Sequence, residues 1–205
     1  MDLLKSSNNY SLILFIITFF LPACSTEKII LFDKNSTKKD FCSLLDSPKK
    51  NDVAVVLFTS VDCPIANRMS PEIRKCQNLA SDLNIKFINI YPSTNTKQKE
   101  ISSHKKNYLL KGTFLHDSDQ KWASLFNATI TPECFVLIEK NQRWEVLYQG
   151  RVCNLYPALG RPLNKASTHE LYDSIKLAKE KPDITKNMYP QNTKAVGCQI
   201  ELIKK

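Results

Sequence analysis

Val53-Ala-Val-Val-Leu-Phe58 is followed at once by Thr59-Ser-Val-Asp-Cys-Pro-Ile-Ala-Asn67, and this stretch decides the fold. Its first part is a short apolar run between polar segments, which is typical of a strand buried on both faces. Its second part predicts a helix, because Pro64 suits the first helical position. Apolar residues then recur at helical spacing: Ile65, Met69, Ile73, Cys76, Leu79, Ala80 and Leu83. The sequence therefore predicts a strand that leads into a helix, with Cys63 at the junction.

Cys63 is the candidate reactive thiol. A cysteine at the start of a helix faces free backbone N–H groups and the positive end of the helix dipole. Both favour the thiolate over the thiol, and the thiolate is the nucleophile in cysteine chemistry. We therefore predict that Cys63 is the catalytic nucleophile and the most reactive thiol of the chain.

The junction resembles the active-site turn of the thioredoxin-like superfamily. That superfamily has a cysteine at this junction and a proline eight residues later, where this chain has Pro71. It also has a cis-proline that faces the cysteine from the start of a later strand, and Thr131-Pro132 before Cys134-Phe-Val-Leu-Ile138 is similar. The resemblance implies an α/β, thioredoxin-like fold, with a central mixed sheet flanked by helices, and a substrate groove shaped by Pro132 and the backbone of Thr131.

Four segments narrow the resemblance to redoxin-type proteins of the bacterial envelope, which are related to the alkyl hydroperoxide reductase and thiol-specific antioxidant family. The segments are Cys63-Pro-Ile-Ala-Asn67, Thr131-Pro-Glu133, Gly150-Arg-Val152 and Ala195-Val-Gly-Cys198, in the expected order. The resemblance implies a thiol–disulfide oxidoreductase of the bacterial envelope that acts through Cys63 on a protein disulfide or a peroxide. It also implies a thiol reductant as partner.

Three departures from these families keep other functions open. Ala66 stands where a dithiol thioredoxin has its second cysteine, so Cys63 cannot close a disulfide across the first helical turn. Ser60 matches the peroxiredoxin pattern, but Val56 replaces its proline. Thr59 fills the first cysteine position of the copper-delivery proteins, which removes a metal ligand. The alternatives are a peroxiredoxin-like thiol peroxidase and a non-catalytic binding module such as a copper-delivery protein.

The cysteine that resolves an oxidised Cys63 stays open at this point. Cys76 lies roughly 20 Å farther along the same helix, beyond the distance limit of about 7 Å for a disulfide with Cys63. Cys76 and Cys134 are both predicted to be core residues. Cys198 lies in an extended tail that could fold back over the site, and the resemblance favours it. Cys153, just beyond a predicted strand, is the alternative resolving cysteine. Cys63 acting alone, or a structural disulfide between the other two, is also possible.

The N-terminus has the features of an export signal. Lys5 precedes an apolar run over residues 12–21, which is shorter than the roughly 20 residues of a membrane span. Leu21-Pro-Ala-Cys24 resembles a bacterial lipobox, which implies a signal peptide over residues 1–23 and lipidation of Cys24. We therefore expect a membrane-anchored lipoprotein of the bacterial cell envelope that faces the periplasm or the exterior. A plain secretory peptide is the alternative.

Length and composition limit the remaining possibilities. Residues 24–205 suffice for a single thioredoxin-like domain with a C-terminal tail over residues 183–205. The net charge of +9 comes from lysines spread along the chain, which argues against nucleic acid and suits anionic lipid headgroups. The three histidines share no ligand spacing, so we predict neither a metal site nor a cofactor.

Two further segments predict helices. Residues 97–108 are polar and contain five lysine or histidine residues, which favours a helix with a solvated face. Ser167-Thr-His-Glu170 has the spacing of a capping box and predicts a last helix that ends before Pro182.

Overall fold

The computed structural model describes residues 30–32, 45, 49–141, 143–182, 193–201 and 203. A six-stranded mixed sheet lies at its centre, and a second sheet has two short strands. The strands are β1 Ile30–Phe32, β2 Val53–Phe58, β3 Lys86–Tyr91, β4 Thr113–His116, β5 Ile130–Thr131, β6 Glu133–Lys140, β7 Arg143–Gly150 and β8 Cys198–Gln199. The helices are α1 Pro64–Asp82, α2 Gln98–Asn107, α3 Lys121–Phe126 and α4 Glu170–Glu180.

The order of the large sheet is β1-β7-β6-β2-β3-β4. β2 pairs parallel with β3, and β3 pairs parallel with β4. β6 pairs antiparallel with β2 and β7, while β1 pairs antiparallel with β7. This mixed sheet with flanking helices confirms the thioredoxin-like α/β fold expected from the sequence.

β2 is buried on both faces, as its apolar run predicts. Val55 and Leu57 point into a core cluster that also holds side chains of α1 and α4. Val56 and Phe58 point into a second cluster, together with side chains of α3. The ring of Phe58 meets that of Phe126 edge-on, with centroids 5.6 Å apart. The strand is therefore held from both sides, and its carboxyl end carries the turn that leads to Cys63.

One local expectation needs correction. The segment before α4 is not a capping box, because His169 is the N-cap residue and makes no side-chain cap hydrogen bond. The Glu170 carboxylate instead accepts hydrogen bonds from Arg151 and from Thr168 Oγ1. α2 forms as expected and has a solvated face, since most of its residues are exposed, whereas His104 on the same helix is buried.

The proposed leader lies outside the described residues, and so do Cys24 and residues 183–192 of the tail. Among the helices of the described chain, none combines the length and the apolar character that crossing a membrane requires.

Candidate active site

Cys63 occupies the N-cap position of α1, and Pro64 follows at the first helical position. The Ala66 backbone N–H donates a hydrogen bond to Cys63 Sγ, with an N···S distance of 3.4 Å. The side chain of Cys63 is only 1% exposed. The sulfur therefore receives one of the N–H groups that a helix start leaves without a backbone partner, which stabilises a thiolate.

The Thr131–Pro132 segment lies directly against this thiol. Its peptide bond is cis, as the resemblance implies. The Thr131 carbonyl oxygen is 3.0 Å from Cys63 Sγ and accepts a hydrogen bond from the protonated thiol. The fold thus brings together Cys63, Thr131 and Pro132, which the sequence predicted to lie at one site although they come from two distant segments.

Cys198 also reaches the site. β8 pairs antiparallel with β5, so that Cys198 lies opposite Thr131. Thr131 Oγ1 donates a hydrogen bond of 3.4 Å to the Cys198 carbonyl oxygen. The Cys198 thiol is hydrogen-bonded to Cys63, and both are free thiols. Burial, this hydrogen bond and the charge of an ionised Cys63 together raise the pKa of Cys198 to about 12.

Two glycines allow the tail to lie this close. A Cβ on Gly197 would come within 1.9 Å of the Thr131 carbonyl oxygen. Gly150 has a φ of +154°, and a Cβ there would come within 2.4 Å of both Thr193 oxygen atoms, the carbonyl and Oγ1. Only residues without a side chain fit these two contacts.

The beginning of the described tail is anchored at Thr193. Thr193 Oγ1 and the Tyr148 hydroxyl form a hydrogen bond of 2.7 Å. The Arg151 backbone N–H also donates to Thr193 Oγ1, over 3.1 Å. The tail is therefore fixed beside the end of β7, five residues before Cys198.

The far end of the tail is anchored by Gln120, a buried residue in front of α3. Its Nε2 donates to the Glu201 carbonyl over 2.6 Å, and its Oε1 accepts from the Ile203 N–H over 2.7 Å. The Ile200 N–H donates to the Thr129 carbonyl over 2.8 Å. No sequence signal marks Gln120 or Thr193 as contacts of the tail, because they act through long-range hydrogen bonds.

His104 supports the active-site turn from α2. Asn67 Nδ2 donates to the Val61 carbonyl over 3.0 Å, so its Oδ1 faces His104 Nε2 at 2.7 Å. Nε2 therefore carries the proton, and Nδ1 accepts from the Tyr91 hydroxyl at 2.9 Å. Burial lowers the pKa of His104, while the charge of Asp62 raises it less. The sequence alone did not single out this network.

The remaining described cysteines lie in the core. Cys153, the alternative resolving cysteine, is fully buried, and burial raises its pKa to about 11. Cys76 and Cys134 are buried as predicted, and burial raises the pKa of each thiol well above its usual range. The structure therefore places Cys198, and not Cys153, in hydrogen-bonding contact with Cys63.

A polar groove with a volume of about 250 Å³ opens above the site. Its lining includes Ser60, Asp62, Pro92, Thr131, Cys198 and Gln199, but not Cys63. Ser60 Oγ accepts a hydrogen bond from the Asp62 N–H, and His116 Nε2 is bonded to the Ser93 carbonyl. In the part of the chain that the structure describes, no three histidine, cysteine or acidic side chains are grouped to hold a metal ion.

The fold and this site define a thioredoxin-like protein. The Redoxin family model matches residues 42–154, more than half of the chain, and the chain therefore belongs to the Redoxin family. The match includes Cys63 and Pro132 but ends before Cys198.

Two solved structures show the same fold at low sequence identity, and a third is similar over part of its length. A hypothetical protein from Sinorhizobium meliloti 1021 is 18% identical, with a TM-score of 0.62, over 80% of this chain and 85% of that one. An uncharacterized conserved protein from Geobacillus kaustophilus is 18% identical, with a TM-score of 0.59, over 77% and 80%. A secreted disulfide oxidoreductase from Mycobacterium tuberculosis is 16% identical, with a TM-score of 0.41, over 64% and 82%. No curated protein sequence matches the chain significantly.

Proposed function

We propose that this protein is a thiol–disulfide oxidoreductase in which Cys63 and Cys198 form the redox-active pair. The observation that carries the proposal is the pairing of β8 with β5, which places Cys198 opposite Thr131, the residue whose carbonyl oxygen is 3.0 Å from Cys63 Sγ. Ala66 rules out a disulfide across the helix turn, and the tail supplies the second thiol from the opposite side.

In the reaction, the Cys63 thiolate attacks one sulfur of a disulfide and displaces the other as a thiolate. The Ala66 N–H stabilises the attacking thiolate. Cys198 then attacks Cys63 Sγ and releases the second substrate sulfur, which takes the proton that Cys198 loses. The substrate gains two electrons, and the protein is left with a Cys63–Cys198 disulfide.

A peroxide is the second candidate substrate, because Cys63 is almost fully buried beneath the tail. A small peroxide needs much less space than a folded protein to reach this sulfur. Attack on the peroxide gives a sulfenic acid at Cys63 and one hydroxyl product, and Cys198 then displaces water to form the same disulfide. The sequence alternative, a thiol peroxidase, is therefore tested together with the main proposal.

Peptide mapping after mild oxidation tests the pair. Reduced protein treated with a disulfide or with hydrogen peroxide is expected to yield one peptide linking Cys63 to Cys198. Cys63→Ser and Cys198→Ser should both abolish the link, and Cys63→Ser should also abolish turnover. Cys153→Ala is the matched control and should keep both. Recovery of a Cys153–Cys198 link, with Cys63 as a stable sulfenic acid, would contradict the proposal and favour a one-cysteine peroxidase.

We also propose that the chain is an envelope lipoprotein, on the basis of the Leu21-Pro-Ala-Cys24 segment. Several acyl chains on Cys24 would anchor the protein durably, since one chain binds membranes only weakly. Mass spectrometry of membrane-extracted protein should show an acylated N-terminal Cys24. A soluble product that begins at another residue would refute the anchor.

A further inference from the structure

The tail covers the part of the site where an extended partner would otherwise pair. β5 offers its backbone next to Cys63, and β8 already takes this edge with the pairs Ile130–Gln199 and Thr131–Cys198. An incoming strand that paired with Thr131 would have to displace the tail. In the structure, the segment that contains Cys198 thus occupies the edge of β5 from within the same chain.

The two thiols differ in their access to the groove. Cys198 is half-buried and lines it, whereas Cys63 is 1% exposed and does not. The hydrogen bonds of Thr193 and Gln120 hold the tail at both ends, and Gly197 seats it on the Thr131 carbonyl. A molecule in the groove therefore meets Cys198 before it can meet Cys63.

We propose that an external dithiol reduces the Cys63–Cys198 disulfide by attacking Cys198, so that the tail relays electrons from the groove to a buried Cys63. This inference rests on the proposed function, since it requires that disulfide. Under this inference, Cys198 in the tail is the cysteine that the dithiol attacks, and Cys63 at the start of α1 is shielded from the dithiol.

The step balances in atoms and electrons. A thiolate of the dithiol attacks Cys198 Sγ, the bond to Cys63 breaks, and Cys63 leaves as a thiolate that the Ala66 N–H stabilises. The second thiolate of the dithiol then attacks the dithiol's first sulfur, which is bonded to Cys198 Sγ in the mixed disulfide. Cys198 leaves and takes a proton, the dithiol becomes a disulfide, and the protein gains two electrons.

A monothiol tests the assignment, because it stops at the mixed disulfide. The full chain is first oxidised, and the Cys63–Cys198 link is verified by peptide mapping. It is then exposed briefly to reduced glutathione, quenched with excess N-ethylmaleimide and mapped again. We expect glutathione on Cys198 and N-ethylmaleimide on Cys63. The product with the reverse labelling should be about tenfold less abundant, because exchange requires access to the sulfur that is attacked.

The experiment distinguishes failure of this inference from failure of the proposed redox pair. Glutathione found mainly on Cys63, or equally on both cysteines, would overturn this inference and leave the proposed redox pair intact. Absence of the Cys63–Cys198 link before glutathione is added would overturn both.

Discussion

Gly197 lies directly against the backbone carbonyl of Thr131, where a Cβ would come within 1.9 Å of the oxygen. The same oxygen accepts the hydrogen bond of the Cys63 thiol. Because Gly197 has no side chain, the next residue, Cys198, can reach Cys63. The approach of the two thiols therefore depends on a backbone contact that involves neither sulfur atom.

Replacing Gly197 with alanine should displace the tail and uncover Cys63. The added methyl group has no room, and such overpacking costs about 1–3 kcal/mol. In reduced protein at neutral pH, iodoacetamide should alkylate Cys63 faster in Gly197→Ala than in the wild type. Lys194→Ala changes an exposed side chain of the same tail and should leave the rate unchanged. Equal rates in Gly197→Ala and wild type would show that the tail does not shield Cys63.

Cys63 should affect the pH at which Cys198 becomes reactive towards an alkylating reagent. With a pKa of about 12, raised first by burial and then by the contact with Cys63, Cys198 should react slowly up to about pH 10. Cys63→Ala removes the hydrogen bond and the charge but not the burial, so the Cys198 profile should move part of the way towards lower pH. Cys153→Ala serves as the control. A Cys198 profile that is the same in Cys63→Ala as in wild type would refute the coupling.

Cys153 should make the fold less stable in alkaline solution. Its pKa rises from 9.0 to about 11 on folding, so the unfolded chain loses this proton at a lower pH than the folded one. The stabilising contribution is fully present below pH 9 and is lost as the pH rises through about 11. A shift of this size corresponds to about 2–3 kcal/mol.

Denaturant unfolding under reducing conditions checks this effect. The free energy of unfolding should fall less between pH 9 and 11 in Cys153→Ala than in wild type, whatever the loss of packing costs at neutral pH. Parallel curves for the two proteins would mean that Cys153 titrates alike in the folded and unfolded chains.

His104 should make the fold less stable in acid. Burial holds its pKa below the ordinary value of 6.5, so the unfolded chain takes up this proton first as the pH falls. The contribution of His104 to the stability is therefore present above about pH 6.5 and is lost as the pH falls towards the lower pKa that His104 has in the folded chain. His104→Gln should flatten this part of the stability curve. A stability curve that falls as steeply with acid in His104→Gln as in the wild type would rule out His104 as the cause.

The sequence predicted the strand of residues 53–58, the helix that follows and the place of Cys63 between them. These features depend on apolar periodicity and on Pro64, and both act over a few residues. The capping box at Glu170 was predicted wrongly, and the burial of His104 was not predicted, because long-range partners decided both. Tyr91 and Asn67 satisfy the buried imidazole, and Arg151 binds the carboxylate.

The sequence by itself determined the family and the fold class and placed Cys63 at the start of a helix, but left Cys198 and Cys153 as alternatives to resolve Cys63. The tertiary structure placed Cys198 against Cys63 and Cys153 in the core. The role of Cys198 in resolving Cys63 is still a prediction. Its position follows from the pairing of β8 with β5 and from the space at Gly197. Such contacts join segments far apart in the chain, and no local spacing encodes them.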